Sequence, residues 1–319
     1  MKTPRRDFLK QSVAASTAIA AGLRSTRAAA AERVVIGLIG PGGMGTGLLN
    51  SFARLPDVEV AYVCDPDQHR MDAAAKTTQE ISGKAPKKVK DLRRVLEDKS
   101  VDAVIIATPD HWHAPATILA CHAGKHVYVE KPCSHNIREG RLMIEAARRH
   151  KRVVQVGMQS RSTEHVRRAM ELLHNGAIGE VLVSKAWNSQ RRSSIGHAEP
   201  SEPPPHLDFD LWLGPAPEVP YQSNLLHSIW RWWYAFGTGD MGNDGVHDLD
   251  IARWGLNVHQ HPTRVAALGG KYFFDDDQQF PDTQTVAFEY DIGGKKRQLI
   301  FQQRIWSPYA QEGYQNGNP

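Results

Sequence analysis

A chain of 319 residues has the length of about two domains. Its composition is 41% hydrophobic and 23% charged, and no run nears the ~20 apolar residues of a membrane-spanning helix. The formal charge of +4 is a property of the start: residues 1–30 hold six bases and one acid, leaving 33 bases and 34 acids elsewhere, and a near-neutral body removes the electrostatic case for nucleic acid.

The first residues include Arg5-Arg6, then Phe8-Leu9-Lys10, then an Ala-rich run from Val13 to Leu23. Small residues with A-x-A choices follow near Ala28–Ala31. Basic patch, apolar run and small-residue site make the three-part shape of an export signal, and the arginine pair gives it the twin-arginine form. Residues 1–30 are therefore read as a twin-arginine signal peptide of a periplasmic protein, with no membrane segment in the mature form. That route carries folded proteins and suits one that already holds a cofactor.

Residues 33–39, RVVIGLI, form a β-branched run fit for a buried parallel strand. GPGGMGTGL follows at once, in which Gly40, Gly42 and Gly45 match G-x-G-x-x-G, with Gly43 and Met44 between them. Gly40 allows the turn, Gly42 lets backbone approach a pyrophosphate, and Gly45 lets helix and strand pack closely. The helix N-terminus offers N–H groups and a positive dipole to the phosphates. A second strand, Val58–Cys64, ends at Asp65, an acid placed to accept from the adenine-ribose hydroxyls and to repel a 2′-phosphate, so NAD is favoured over NADP. Further units alternate: a helix near 91–98, strand 102–108, helix 115–123, strand 125–130, helix 137–150 and strand 152–157. That alternation predicts a doubly wound parallel Rossmann sheet over residues 31–157.

Two strand ends carry polar clusters, ATPDHWH (107–113) and EKPCSHN (130–136), where open α/β sheets bind ligands. Glycine loop, TPDHWH, EKP and a later GVHDLD, in this order, resemble the Gfo/Idh/MocA family of sugar and cyclitol oxidoreductases. The resemblance runs from about residue 33 to the end. It implies that Lys131 lies by the nicotinamide and the reacting hydroxyl as a catalytic residue, and that Glu130 meets the nicotinamide ribose. It further implies that Thr108, Pro109 and His113 line the cofactor groove and that Gln159 borders the nicotinamide. It makes Lys131-Pro132 a candidate cis bond. A desolvated lysine beside an oxidised nicotinamide can take a proton or hold the substrate oxygen.

Residues 158–319 are expected to form an α+β substrate and oligomerisation domain with an open, mostly antiparallel sheet. The pattern gives an amphipathic helix over 161–175, a strand over 180–188, a Pro-rich loop at 199–206, and strands near 263–268, 283–290 and 297–305. The ending QEGYQNGNP is turn-like directly after a strand, which leaves open a chain truncated at its C-terminus. The family resemblance implies a homo-oligomer through this sheet.

GNDGVHDLD (242–250) is read as opening a helix on which Asn243, His247, Asp250 and Trp254 share one face, with Asp244 beside His247. Spacing does not choose among them. The resemblance suggests D-x-G-x-H-x-x-D, and this chain carries Asn243 at the first position. Asn can orient a substrate but cannot take its proton, so His247 is read as acid/base, alone or with Lys131, and Asn243 and Asp244 as substrate contacts. SIWRWWYAF (228–236) offers Trp230 and Arg231 to a sugar, or else packs as core, and Trp187 is a further substrate candidate. Neither DHWH nor HDLD brings a third ligand at metal spacing, and Cys64, Cys121 and Cys133 form no CxxC pattern, so no metal is expected there.

Three functions compete. The first is an NAD-dependent oxidoreductase acting on a secondary alcohol of a sugar, glycoside or cyclitol. The second is an NAD-dependent glycosidase working by transient oxidation and elimination. The third is a degenerate, non-catalytic binder.

Overall fold

The structure, a computed structural model, describes residues 33–308. The leader and the closing QEGYQNGNP lie outside the described residues.

The first domain is built from β1 (Val34–Ile39), α1 (Gly43–Phe52), β2 (Val58–Cys64), α2 (Gln68–Ser82), β3 (Lys87–Val89), α3 (Arg93–Glu97), β4 (Ala103–Ile106), α4 (Asp110–His122), β5 (His126–Val129), α5 (Ile137–Arg149) and β6 (Val154–Val156). All strand pairs are parallel, in the order β3-β2-β1-β4-β5-β6. The chain winds one way from β1 to β3 and the other way from β4 to β6. The crevice therefore opens between β1 and β4, past their carboxyl ends. One face of the sheet buries Leu49 of α1 and Met71 and Ala74 of α2 against Ile36, Leu38 and Ile105. The other buries Ala116 and Ala120 of α4 and Met143 and Ala146 of α5 against Val104, Val127 and Val129. Burial on both faces explains why β1 and β4 are continuous apolar runs rather than alternating ones.

The second domain contains α6 (Glu164–His174), β7 (Val183–Ser189), α7 (Phe209–Leu213), α8 (Gly239–Asn243), α9 (Gly245–Gly255), β8 (Arg264–Gly270), β9 (Thr283–Ile292) and β10 (Lys295–Arg304). Its sheet runs β7-β10-β9-β8, antiparallel except for β7 beside β10. Gly293 and Gly294, at φ +62° and +87°, close the β9–β10 hairpin with a turn that needs positive φ at both positions. One face packs Val286, Tyr290, Leu299 and Phe301 against α9, with Leu256 at its end. The other face carries Val183, Trp187 and Leu268.

Between β7 and α8 runs a long segment with its own core of Leu207, Trp212, Leu213, Leu225 and Phe236. It docks on the first domain through backbone bonds, Gln68 N to His206 O at 2.9 Å and Asp208 N to Pro66 O at 3.0 Å. Trp112 Nε1 donates to Trp212 O at 3.0 Å. The segment closes one wall of the crevice.

Two expectations about elements change. The helix read over 115–123 begins at Asp110 and carries Pro115 inside it. Asn243 and His247 do not share a helix: α8 ends at Asn243 and α9 starts at Gly245. His247 N donates to Asp244 O at 3.0 Å, one residue tighter than the α-helical bond. The Asn243 carbonyl is thereby released from the helix and accepts from Lys131 Nζ at 2.7 Å. Gly245 permits the break, because a Cβ there would stand 2.6 Å from the Phe301 ring.

Candidate functional site

The crevice is a cleft of about 470 Å³. Gly40, at φ +84°, passes so close to β4 that a Cβ would meet Thr108 N at 2.7 Å. A Cβ on Gly45 would meet Gly40 O at 2.1 Å, which seats α1 directly on the turn. A Cβ on Gly42 would meet the Arg70 guanidinium at 2.7 Å. The loop is thus a cradle of backbone at the α1 N-terminus, suited to a pyrophosphate. Asp65 ends β2 at the cleft wall, 7% exposed, with its Oδ1 accepting from Asp67 N at 2.8 Å. Burial pushes its carboxyl up to about 7, against the pull of the Asp67 amide and of Arg70. Hydroxyl donors from a ribose would favour its ionised form. The residues present therefore fit a dinucleotide.

The other end is made by the EKP loop. Lys131-Pro132 is cis. Glu130 is buried, which raises its carboxyl above the usual range, and it is held by Gln159 Nε2 at 3.0 Å and the Lys131 amide at 3.2 Å. His113 bridges the two cleft loops, with Nδ1 2.6 Å from Pro132 O and Nε2 2.8 Å from Thr108 O. Burial pushes its pKa down to about 4, so the ring is neutral and donates to one of these carbonyls. It acts as a brace between the loops.

Lys131 is tied to a polar network through Asn243. Arg231 Nε donates to Asn243 Oδ1 at 3.1 Å, and Asn243 Nδ2 donates to Asp240 Oδ1 at 3.0 Å. Asp240 is fully buried and paired with Arg192 at 2.9 Å, and Arg192 also pairs with Asp244. Arg231 lies over the Trp230 ring at 4.7 Å. His247, read from the sequence as the acid/base, is not among the residues that line the cleft, because the break after Asn243 sets it on the following helix, and its Nδ1 is buried without a hydrogen-bond partner. Burial first, and then Lys131, hold its pKa below the usual imidazole value. Asp250 is occupied by Arg161, at 2.7 Å from both Nε and Nη2.

Of the residues singled out in the sequence, Gly40, Gly42, Gly43, Met44, Asp65, Thr108, Pro109, His113, Glu130, Lys131, Trp230, Arg231 and Asn243 line the cleft. Gly45 supports it from within the first turn of α1, Gln159 reaches it through Glu130, and Asp244 stands off it, joined to Asn243 only through Arg192 and Asp240. Trp187 is placed elsewhere. It sits on the far face of the second sheet beside Gln302, to whose Oε1 it donates at 2.9 Å, because its neighbours Ala186 and Asn188 take the buried side. The period of two along β7 decides this, and the sequence alone left the face open.

Two models of one family match nearly end to end: the NAD-binding Rossmann fold of the oxidoreductase family over residues 34–158, and its C-terminal alpha/beta domain over 174–295. The chain belongs to the Gfo/Idh/MocA family. Among curated Gfo/Idh/MocA relatives, levoglucosan dehydrogenase of Pseudarthrobacter phenanthrenivorans is 27% identical over 70% of this chain and 51% of its own length. A glycosyl hydrolase family 109 protein of Saccharopolyspora erythraea is 30% identical over 47% of this chain and 34% of its own. The chain thus spans a third to about half the length of these two relatives. Among solved structures, levoglucosan dehydrogenase in complex with NADH and levoglucosan superposes with a TM-score of 0.64 at 22% identity, covering 88% of this chain and 68% of that one. The WlbA dehydrogenase of Bordetella pertussis, in complex with NADH and UDP-GlcNAcA, gives 0.66 at 17%, covering 86% and 68%. These likenesses establish the fold.

Asp110 is the group that sequence reasoning missed. It opens α4 in the TPDHWH stretch, is 2% exposed, lines the cleft, and accepts from Thr238 Oγ1 at 2.7 Å. Burial pushes it up to about 7, opposed by the Thr238 hydroxyl, Arg231 and Lys131. An acid at a helix start reads from sequence as a charge for the helix dipole. Only the fold shows that it is buried and stands near two cations.

Proposed function

We propose that the protein is an NAD-dependent oxidoreductase acting on a secondary alcohol of a sugar, glycoside or cyclitol. One observation carries the reading: a single cleft joins the glycine cradle and Asp65 to Lys131, Asp110, Arg231 and Asn243. NAD, when bound, supplies the hydride acceptor. The glycine loop and α1 hold its pyrophosphate, Asp65 its adenine ribose, and Glu130 its second ribose. Lys131, oriented by the Asn243 carbonyl, holds the substrate oxygen and receives its proton. His247 is kept neutral by burial and by Lys131, but it does not line the cleft and its Nδ1 is buried, so the proton is assigned to Lys131. Asn243 cannot take a proton, but its amide is fixed at both ends by Arg231 and Asp240 and orients a hydroxyl. Asp110 supplies the titrating carboxyl that Asn243 lacks. Arg231 and Trp230 form the substrate wall.

A second reading is an NAD-dependent glycosidase. It is favoured by matches of 30% and 35% identity to glycosyl hydrolase family 109 proteins, over about half of the chain. We further propose, on Arg5-Arg6 and the Ala-rich run that follows, that the protein is exported to the periplasm, a location compatible with both readings.

The test is one assay with two readouts. The protein is incubated with NAD and a panel of aryl glycosides and cyclitols while NADH and released aglycone are followed. Accumulating NADH is expected for the dehydrogenase. Aglycone without net NADH identifies the glycosidase. Neither signal, with NAD bound, would refute the enzymatic reading. Lys131→Ala should lower the rate by roughly 10²–10⁴-fold, the usual worth of a positioned proton-transfer group.

A further inference from the structure

Beside the cleft, three histidines approach one buried carboxylate: His69 from α2, and His206 and His227 from the segment that closes the cleft, of which only His227 lines it. Asp67 is 3% exposed and caps α2, where its Oδ1 accepts from His69 N at 2.8 Å and Arg70 N at 3.3 Å. Its Oδ2 takes no part in the cap. His227 Nε2 lies 2.8 Å from that oxygen and His206 Nε2 lies 3.6 Å from it. The His69 ring stacks on His206 at 4.0 Å. Asp67, His69 and His206 each bring one ligand atom within 4.8 Å of the other two.

A helix cap requires one acceptor oxygen, and Ser or Asn would serve as well as Asp. A second carboxylate oxygen ringed by imidazoles exceeds what the cap needs. Four ligands placed tetrahedrally about 2.0–2.2 Å from an ion stand roughly 3.2–3.6 Å apart. The His206–Asp67 separation of 3.6 Å already fits that span. His69, on the exposed side, fits by turning its ring, while His227 stands outside this trio and keeps its contact with Asp67 Oδ2. Imidazole with one carboxylate suits zinc-type divalent ions. The nearby cation, Arg70, turns its guanidinium toward Gly42.

We propose that Asp67, His69 and His206 form a binding site for a zinc-type divalent metal ion, with one coordination position left to water. His206 belongs to the segment that closes the cleft, and Asp67 and His69 belong to the nucleotide-binding domain. The ion cross-links the two. It reinforces the backbone bonds that pin the segment, Gln68 N to His206 O and Asp208 N to Pro66 O. The site is structural and takes no part in the reaction, so it stands or falls independently of the proposed activity.

The experiment uses the full chain stripped with chelator, dialysed against zinc chloride, freed of loose metal by gel filtration, and assayed for zinc per chain and for melting temperature. One zinc per chain and a zinc-dependent rise in melting temperature are expected. His69→Gln and His206→Gln, neither of which lines the cleft, should each weaken zinc binding at least tenfold while leaving the metal-free melting temperature and NAD binding intact. Substoichiometric zinc in the wild type would overturn the proposal. So would undiminished zinc in the His69→Gln/His206→Gln double variant, which would assign the metal to other histidines, such as His197 beside Asp275 and Asp277.

Discussion

At the scale of single residues, Asp110 ties burial to chemistry. Its carboxyl titrates at about 7 in the fold against 3.8 when free. The folded value is the higher one, so the fold favours the protonated form. The cost of ionising it in place is absent below about 4, grows as pH rises, and is complete above about 7. Asp110→Asn should therefore flatten destabilisation across that window. It should also remove an inflection near neutrality from the kcat/KM profile. Parallel wild-type and variant pH profiles would show instead that Asp110 does not couple to the reaction. Sequence could not foresee this residue, because burial belongs to the assembled cleft and not to α4. It did name Asp65, because a strand end fixes where its side chain enters the crevice, and it named Glu130 and Lys131 through the family resemblance of the EKP stretch. Trp187 went astray for the complementary reason: one step along a strand reverses its face.

Among the elements, the β1 turn and the α8–α9 break position the site. Gly45→Ala should abolish cofactor binding or folding, because its Cβ would fall 2.1 Å from a backbone oxygen that has no room to yield. Gly47→Ala, on the same helix with open space around it, should be tolerated and is the control. Dye-monitored melting with and without NAD separates the two outcomes for Gly45→Ala. The α/β alternation of the first domain was legible because buried parallel strands are short β-branched runs between amphipathic helices. The three-residue β3 was not, since Lys87 and Lys88 hide it. The helix break at Asp244 was also invisible. His247, Asp250 and Trp254 keep helical spacing on either account, and only the Lys131–Asn243 contact exposes the interruption.

For the whole molecule, the open face of the second sheet is the feature that a single copy leaves unresolved. Val183 is 52% exposed and Leu268 is 78% exposed on that face, and Trp187 lies with them. β8 is exposed along its length and presents a free edge among the described residues. We propose that a second copy covers this face, as the sequence reading expected of the family. Val183→Glu with Leu268→Glu should reduce the sedimentation mass to that of one chain without loss of helical signal. An unchanged mass would place the contact elsewhere. Among the described residues no helix is long and apolar enough to cross a membrane.

The central claim is that this cleft holds NAD through the glycine cradle and Asp65. It is tested most directly by incubating the purified protein with equal amounts of NAD and NADP, removing free nucleotide, denaturing, and weighing what is released. Arg70 beside Gly42 gives NADP its best chance, and the buried Asp65 carboxyl opposes it. The account predicts NAD in near-stoichiometric amount, lost in Gly45→Ala. Release of NADP, or of neither nucleotide from a folded protein, would contradict it.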